Sequence, residues 1–69
     1  MYSERGKTDG FHWSVQCVEA VDGRVFAHVQ VGTTIKITPK TYKDEDQAKE
    51  AGRQLRDDTL AELEDLVNA

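Results

Sequence analysis

From Phe11 to Ile37 apolar and polar residues alternate, and two glycine-containing turns interrupt the alternation without ending it. This pattern restricts the fold more than any other feature of the chain. Period two puts successive side chains on opposite faces of a strand, and an apolar face so made has to be covered. Phe11, Trp13, Val15 and Cys17 point one way, and His12, Ser14, Gln16 and Val18 the other. After "VDG", Val25, Ala27, Val29 and Val31 share a face opposite Phe26, His28 and Gln30. After "GTT", Ile35 and Ile37 alternate with Lys36 and Thr38.

Register selects the turn length. A two-residue Asp22-Gly23 turn would set Cys17 against His28 and Val15 against Gln30, apolar against polar along the whole ladder. A three-residue loop, Val21-Asp22-Gly23, pairs Ala20 with Arg24, Cys17 with Ala27, Val15 with Val29 and Trp13 with Val31. It also gives Gly23 the left-handed position where glycine costs least. The same argument at Gly32-Thr33-Thr34 predicts Val31 opposite Ile35 and Val29 opposite Ile37. The expected sheet is a three-stranded antiparallel meander with one apolar face. Pro39 cannot donate to a ladder and closes it.

The second half changes period. In "TYKDEDQAKEAGRQLRDDTLAELEDLVNA", Asp44 is a helix N-cap with Gln47 three residues on, and Glu45 and Asp46 suit the positive helix end. Ala48, Ala51, Leu55, Thr59, Leu63 and Leu66 lie along one stripe, and Gly52 beside it lets helix and sheet approach closely. The stretch reads as one helix. "TLAE" at 59–62 repeats the capping pattern, so a break near Asp57-Asp58 is the alternative. A single rod from Asp44 to Val67 would measure about 36 Å against about 24 Å for a seven-residue strand, so its last turns should overhang the sheet. Leu60, Leu63 and Val67 then form either a seam for a second copy or partner, or a cap on the near end of the same core. The fold class is thus α+β: a three-stranded antiparallel meander packed on one C-terminal helix (β-β-β-α). Residues 1–10 are expected to be a flexible leader, and 11–69 a single domain.

With 69 residues the core is small, and a homodimer or a bound partner is the expectation for so small a domain. The polar start "MYSERGKTDG" shows no apolar segment for secretion, and no run approaches the ~20 apolar residues of a membrane span. One cysteine, Cys17, fits a reducing compartment, with cytoplasm of a bacterium or phage-infected host expected. The net charge of −4 is uneven: residues 1–40 are near neutral, and residues 41–69 hold nine of the thirteen carboxylates. A nucleic-acid binder usually shows a basic face, and none stands out.

Chemistry-bearing constellations are sparse. His12 and His28 are too far apart along the predicted sheet to share an ion, Cys17 alternates into the core, and no glycine-rich phosphate loop is present. No catalytic residue, metal ligand or cofactor site is assigned. Attention therefore falls on the face turned away from the helix. Its predicted members His12, Gln16, Val18, Phe26, His28, Gln30 and Lys36, with Arg24 at the hairpin tip, form the candidate interaction surface. The competing reading of the same residues is an ordinary exposed sheet face carrying one Phe.

Gly23-Arg24 at the first hairpin and Thr41-Tyr42 with Ala48 at the helix start resemble the arm-type DNA-binding domain of phage integrases and its relative in plant ethylene-response factors. HicB-type antitoxins, and many small uncharacterised bacterial proteins, have a similar strand-strand-strand-helix unit. The resemblance covers residues 11–57 and implies a sheet face able to enter a DNA major groove. Those families carry several Arg and Lys on the strands, where this chain offers Arg24, Lys36 and little else. The expected function is a small non-enzymatic bacterial or phage protein, a protein-interaction module working through the outer sheet face or the C-terminal helix. A sheet-face nucleic-acid-binding domain is the alternative.

Overall fold

The computed structural model describes residues 1–68. The chain forms β1 (Ser3–Thr8), β2 (Phe11–Glu19), β3 (Val25–Val31), β4 (Thr34–Ile37) and α1 (Glu45–Val67), with the strands in one antiparallel sheet of order β1-β2-β3-β4. The class is α+β, a meander with a C-terminal helix laid on one face.

The β2–β3 hairpin has the predicted register: Trp13 faces Val31, Val15 faces Val29, Cys17 faces Ala27 and Val18 faces Phe26. Ala20 N–H donates to the Arg24 carbonyl at 2.7 Å, which closes a three-residue loop with Gly23 at φ 84°. The inward residues Val15, Cys17, Val25, Ala27, Val29 and Val31 are all buried. Pairing apolar side chains across two strands places them on the helix-facing side together, which is why this register wins.

The helix is a single rod. Asp44 caps it, its carboxylate accepting from Gln47 N–H at 2.9 Å, and no break occurs at Asp57-Asp58. Thr59 lies inside the helix, its buried hydroxyl satisfied by donating to the Leu55 carbonyl at 2.7 Å. Gly52 sits directly over the sheet: a Cβ there would lie 2.7 Å from Ala27 Cβ and 2.8 Å from Val15 Cγ1. Ala48 and Leu60 complete the core on the helix side.

Two sequence expectations change, and one left open is decided. Residues 3–8 are a strand, not part of a loose leader. Asp9 and Gly10, at φ 53° and 86°, make the two-residue turn with both central φ positive that a tight hairpin prefers, and so fold β1 back onto β2. The inner side of β1 has no aliphatic residue because β2 covers it: the Trp13 ring lies over Gly6. Arg56 stacks on that ring at 4.4 Å, and the indole N–H donates to Thr8 Oγ1 at 3.1 Å. Tyr2 fastens the start of the strand, its carbonyl accepting from Cys17 N–H at 2.9 Å and its N–H donating to Glu45 at 3.1 Å.

The second change is the register of β4. The turn is the two-residue Gly32-Thr33, with Gly32 at φ 59°, and Val31 faces Thr34, Gln30 faces Ile35, Val29 faces Lys36 and His28 faces Ile37. A positive φ at the first central position alone is the other preferred tight-hairpin geometry. Ile35 and Ile37 therefore point outward, and Lys36 and Thr38 point to the helix side. A single helix covers the centre of a four-stranded sheet and leaves its edge partly wet, so polar groups are tolerated there. Lys36 pairs with Glu62 at 2.9 Å. Thr38 is buried, its hydroxyl accepting from Ala27 N–H and donating to the Lys40 carbonyl, each at 3.1 Å.

At the helix end, where a seam and a cap on the core are both open from sequence, Leu60 and Leu63 take the core side. Leu60 is buried in the core with Val15, Val29 and Val31, and Leu63 packs against that cluster. Of the residues considered for a seam only Val67 is exposed, beside Leu66, where α1 outruns the sheet.

Candidate binding surface

The registers of three strand pairs fix which side chains share the face opposite α1. Reading across the sheet from β1 to β4 gives a row Arg5, Ser14, Gln30, Ile35 and a row Ser3, Gln16, His28, Ile37. Lys7 and His12 extend the face toward one end, and Val18 and Phe26 toward the other. Each full row starts from the β1 edge, passes hydroxyls, amides and imidazole, and ends on an isoleucine. Cationic side chains thus line one edge and aliphatic ones the other. Ile35 and Ile37 are each 58% exposed, while Val18, Phe26, His28 and Gln30 are half-buried by their neighbours. Among the described residues no element covers this face. An open hollow of about 420 Å³ lies on its β1–β3 side, bordered by Arg5, His12, Ser14, Gln16 and Gln30.

Of the residues singled out from sequence, His12, Gln16, Val18, Phe26, His28 and Gln30 do share this face. Lys36 does not, for the reason of register given above. Arg24 is occupied at the hairpin tip, donating from Nε to Thr41 Oγ1 and from a terminal nitrogen to the Thr41 carbonyl, both at 2.9 Å. Ser3, Arg5, Lys7, Ile35 and Ile37 were not anticipated on the face. Asp9-Gly10, a strong tight-turn pair, was the signal for the first three, and glycine at the first position of Gly32-Thr33 was the signal for the isoleucines.

The helix side carries a different chemistry. Arg53 bonds Glu4 at 3.2 Å and the Tyr2 hydroxyl at 3.1 Å, and Arg56 lies 3.6 Å from Glu4. Hydrogen bonds from Tyr2 and Arg53 hold the Glu4 carboxyl below its usual value. Its help in holding β1 is therefore present above that usual value and is lost as pH falls through the lowered one. The cluster is a clamp joining β1 to α1. Burial pushes the Cys17 thiol up, away from the thiolate form that nucleophilic chemistry needs. Among the described residues no three His, Cys, Asp or Glu side chains gather closely enough to hold a metal ion. No described helix is long and apolar enough to cross a membrane. No family model, curated protein or solved structure matches the chain, so function has to be argued from the surface itself.

Proposed function

We propose that this chain is a small non-enzymatic interaction module that binds a protein partner through its uncovered sheet face. One observation carries the reading: the register of β4 turns Ile35 and Ile37 outward, onto the same face as Val18 and Phe26. One more residue in the Gly32 turn would have faced both isoleucines toward the helix. Exposed aliphatic and aromatic side chains beside polar ones are the composition of recognition surfaces. The single cysteine, buried and free, supports a reducing, cytoplasmic setting in a bacterium or a phage-infected host.

A photo-crosslinking amino acid separates this from an inert surface. Benzoylphenylalanine at position 35, in the chain expressed in its own host, should give a discrete protein adduct. The same group in place of Glu50, on the exposed side of α1, should not. Absence of an adduct at 35, or equal adducts at both positions, overturns the reading.

A second reading has one observation in its favour. The face that enters DNA in sheet-type binders here bears Arg5 and Lys7 and no carboxylate. A DNA complex resting on phosphate contacts would weaken steeply with salt. A gel shift at low salt that vanishes by physiological ionic strength would support it, and no shift at low salt removes it.

A further inference from the structure

We infer that the partner presents an acidic amphipathic helix: its apolar side seats on Val18, Phe26, Ile35 and Ile37, and a carboxylate-bearing flank lies over Arg5 and Lys7. The inference rests on the sheet-face reading and adds the chemistry of what covers it. Its ground is charge complementarity. The chain has 13 carboxylates and a net charge of −4, yet no Asp or Glu occupies an outward position of any strand. The acidic residues lie on α1, in turns, or on the helix-facing side of the sheet. Among the described residues, Arg5 and Lys7 are the only Lys or Arg at outward strand positions, side by side along β1 and both exposed.

The dimensions suit a helix. Three strand spacings of about 4.8 Å put the β1 cations about 14 Å from the β4 isoleucines. A helix is ~10–12 Å across with side chains, so one seated on β3–β4 presents its flank to β1. Ile35 and Ile37 are two strand residues apart, roughly 6.8 Å, and so are Arg5 and Lys7. Helix residues at i and i+4 advance ~6 Å, so a rod along the strands can set two apolar residues over the isoleucines and two carboxylates over the cations.

A second copy fits poorly. Two identical sheets packed face to face about a two-fold axis along the strands would lay the Arg5–Lys7 edge over the partner's isoleucine edge. An axis across the strands would lay cation over cation. Neither arrangement supplies the missing carboxylates, and both would bury unpaired charge. A nucleic acid would meet two cations on a chain that is net negative, few beside the 6–10 phosphate contacts of a typical salt-sensitive DNA binder.

The test selects helices without naming a natural partner. The immobilised full chain is challenged with a displayed library of random 18-residue peptides, and the enriched sequences are titrated against isotope-labelled chain. They should be net negative, carry apolar residues at helical spacing, and shift the amides of outward residues on β1–β4. Arg5→Glu with Lys7→Glu should weaken them roughly tenfold or more, the scale of converting two partly exposed attractions to repulsions. Should that variant fail to fold, lysine-for-acid swaps in the peptide put the same question to the unaltered chain, with the same loss expected. Peptides that bind the face without acidic bias, or that ignore the charge reversal, overturn the acidic-partner inference and leave the sheet-face reading standing. Peptides that map to α1, or no enrichment at all, overturn both. A 16-base-pair DNA duplex shifting the same amides in a salt-sensitive way replaces this inference with the nucleic-acid reading.

Discussion

Ile35 reverses the place that pattern reading gives it, and Leu60 takes one of the two that pattern reading leaves open. An isoleucine in an alternating strand is expected inside, yet Ile35 is 58% exposed; a leucine to the side of the helical stripe can serve a seam or cap the core, and Leu60, 8% exposed, caps the core. Both results come from position on the sheet. Ile35 sits on the edge strand, where the inner place opposite Val29 goes to Lys36, whose long stem spans to Glu62. Leu60 sits where α1 crosses the Val15, Val29 and Val31 cluster, so it falls inward. The two substitutions should therefore differ sharply in urea unfolding. Ile35→Ala should change stability by under about 1 kcal/mol, as an exposed side chain does, and Leu60→Ala should cost about 2–5 kcal/mol. Equal losses would mean that β4 had the three-residue turn after all.

At the scale of elements, the parts that the sequence made legible are those whose two sides differ in polarity. Alternation located β2 and β3, apolar matching fixed their register and the Gly23 loop, and capping with 3.6-residue spacing located α1. β1 was hidden because neither of its sides is apolar: outward come Ser3, Arg5 and Lys7, inward Glu4, Gly6 and Thr8. Its inner side is supplied by another strand's Trp13 and by a clamp of Tyr2, Glu4 and Arg53, none of which has a period to detect. The direction of β4 failed for the opposite reason, because a rule that sends apolar residues inward was applied to an edge that the helix covers only partly. About half of the candidate face was legible, the half borne by β2 and β3. A chain beginning at Asp9 distinguishes strand from leader. With β1 present, the β1-facing backbone of β2 is paired and Trp13 is held between Gly6 and Arg56. Without it, the free energy of unfolding should drop by several kcal/mol, and β2 amides should lose protection from hydrogen exchange. A leader would leave both unchanged.

The whole molecule is longer than its size requires. Its radius of gyration is 12.3 Å and its extents are 41 × 19 × 17 Å, where a compact chain of this length would have a radius of about 11 Å. The excess is the end of α1, which passes beyond the sheet and carries Leu66 and Val67, 68% and 71% exposed. With Leu60 and Leu63 engaged in or against the core, these two adjacent residues make a patch well short of the ~800 Å² per partner that a stable interface usually buries. The sheet face offers more area, but its charge pattern is not its own complement: cations stand at one edge, aliphatics at the other, and the carboxylates that would answer the cations are spread over α1. A copy that answered Arg5 and Lys7 with its helix, where most of the acidic residues lie, would set that helix on the neighbour's sheet, a head-to-tail contact that leaves each end open and does not close into a dimer. Sedimentation equilibrium at high micromolar concentration should therefore return the 7.8 kDa mass of one chain. It should do so equally at low salt, where a charge-driven chain of copies would be strongest. A two-chain mass that survives Ile35→Ser with Ile37→Ser would place the contact at the helix end. One abolished by that pair would mean that the sheet face meets itself despite its unpaired cations.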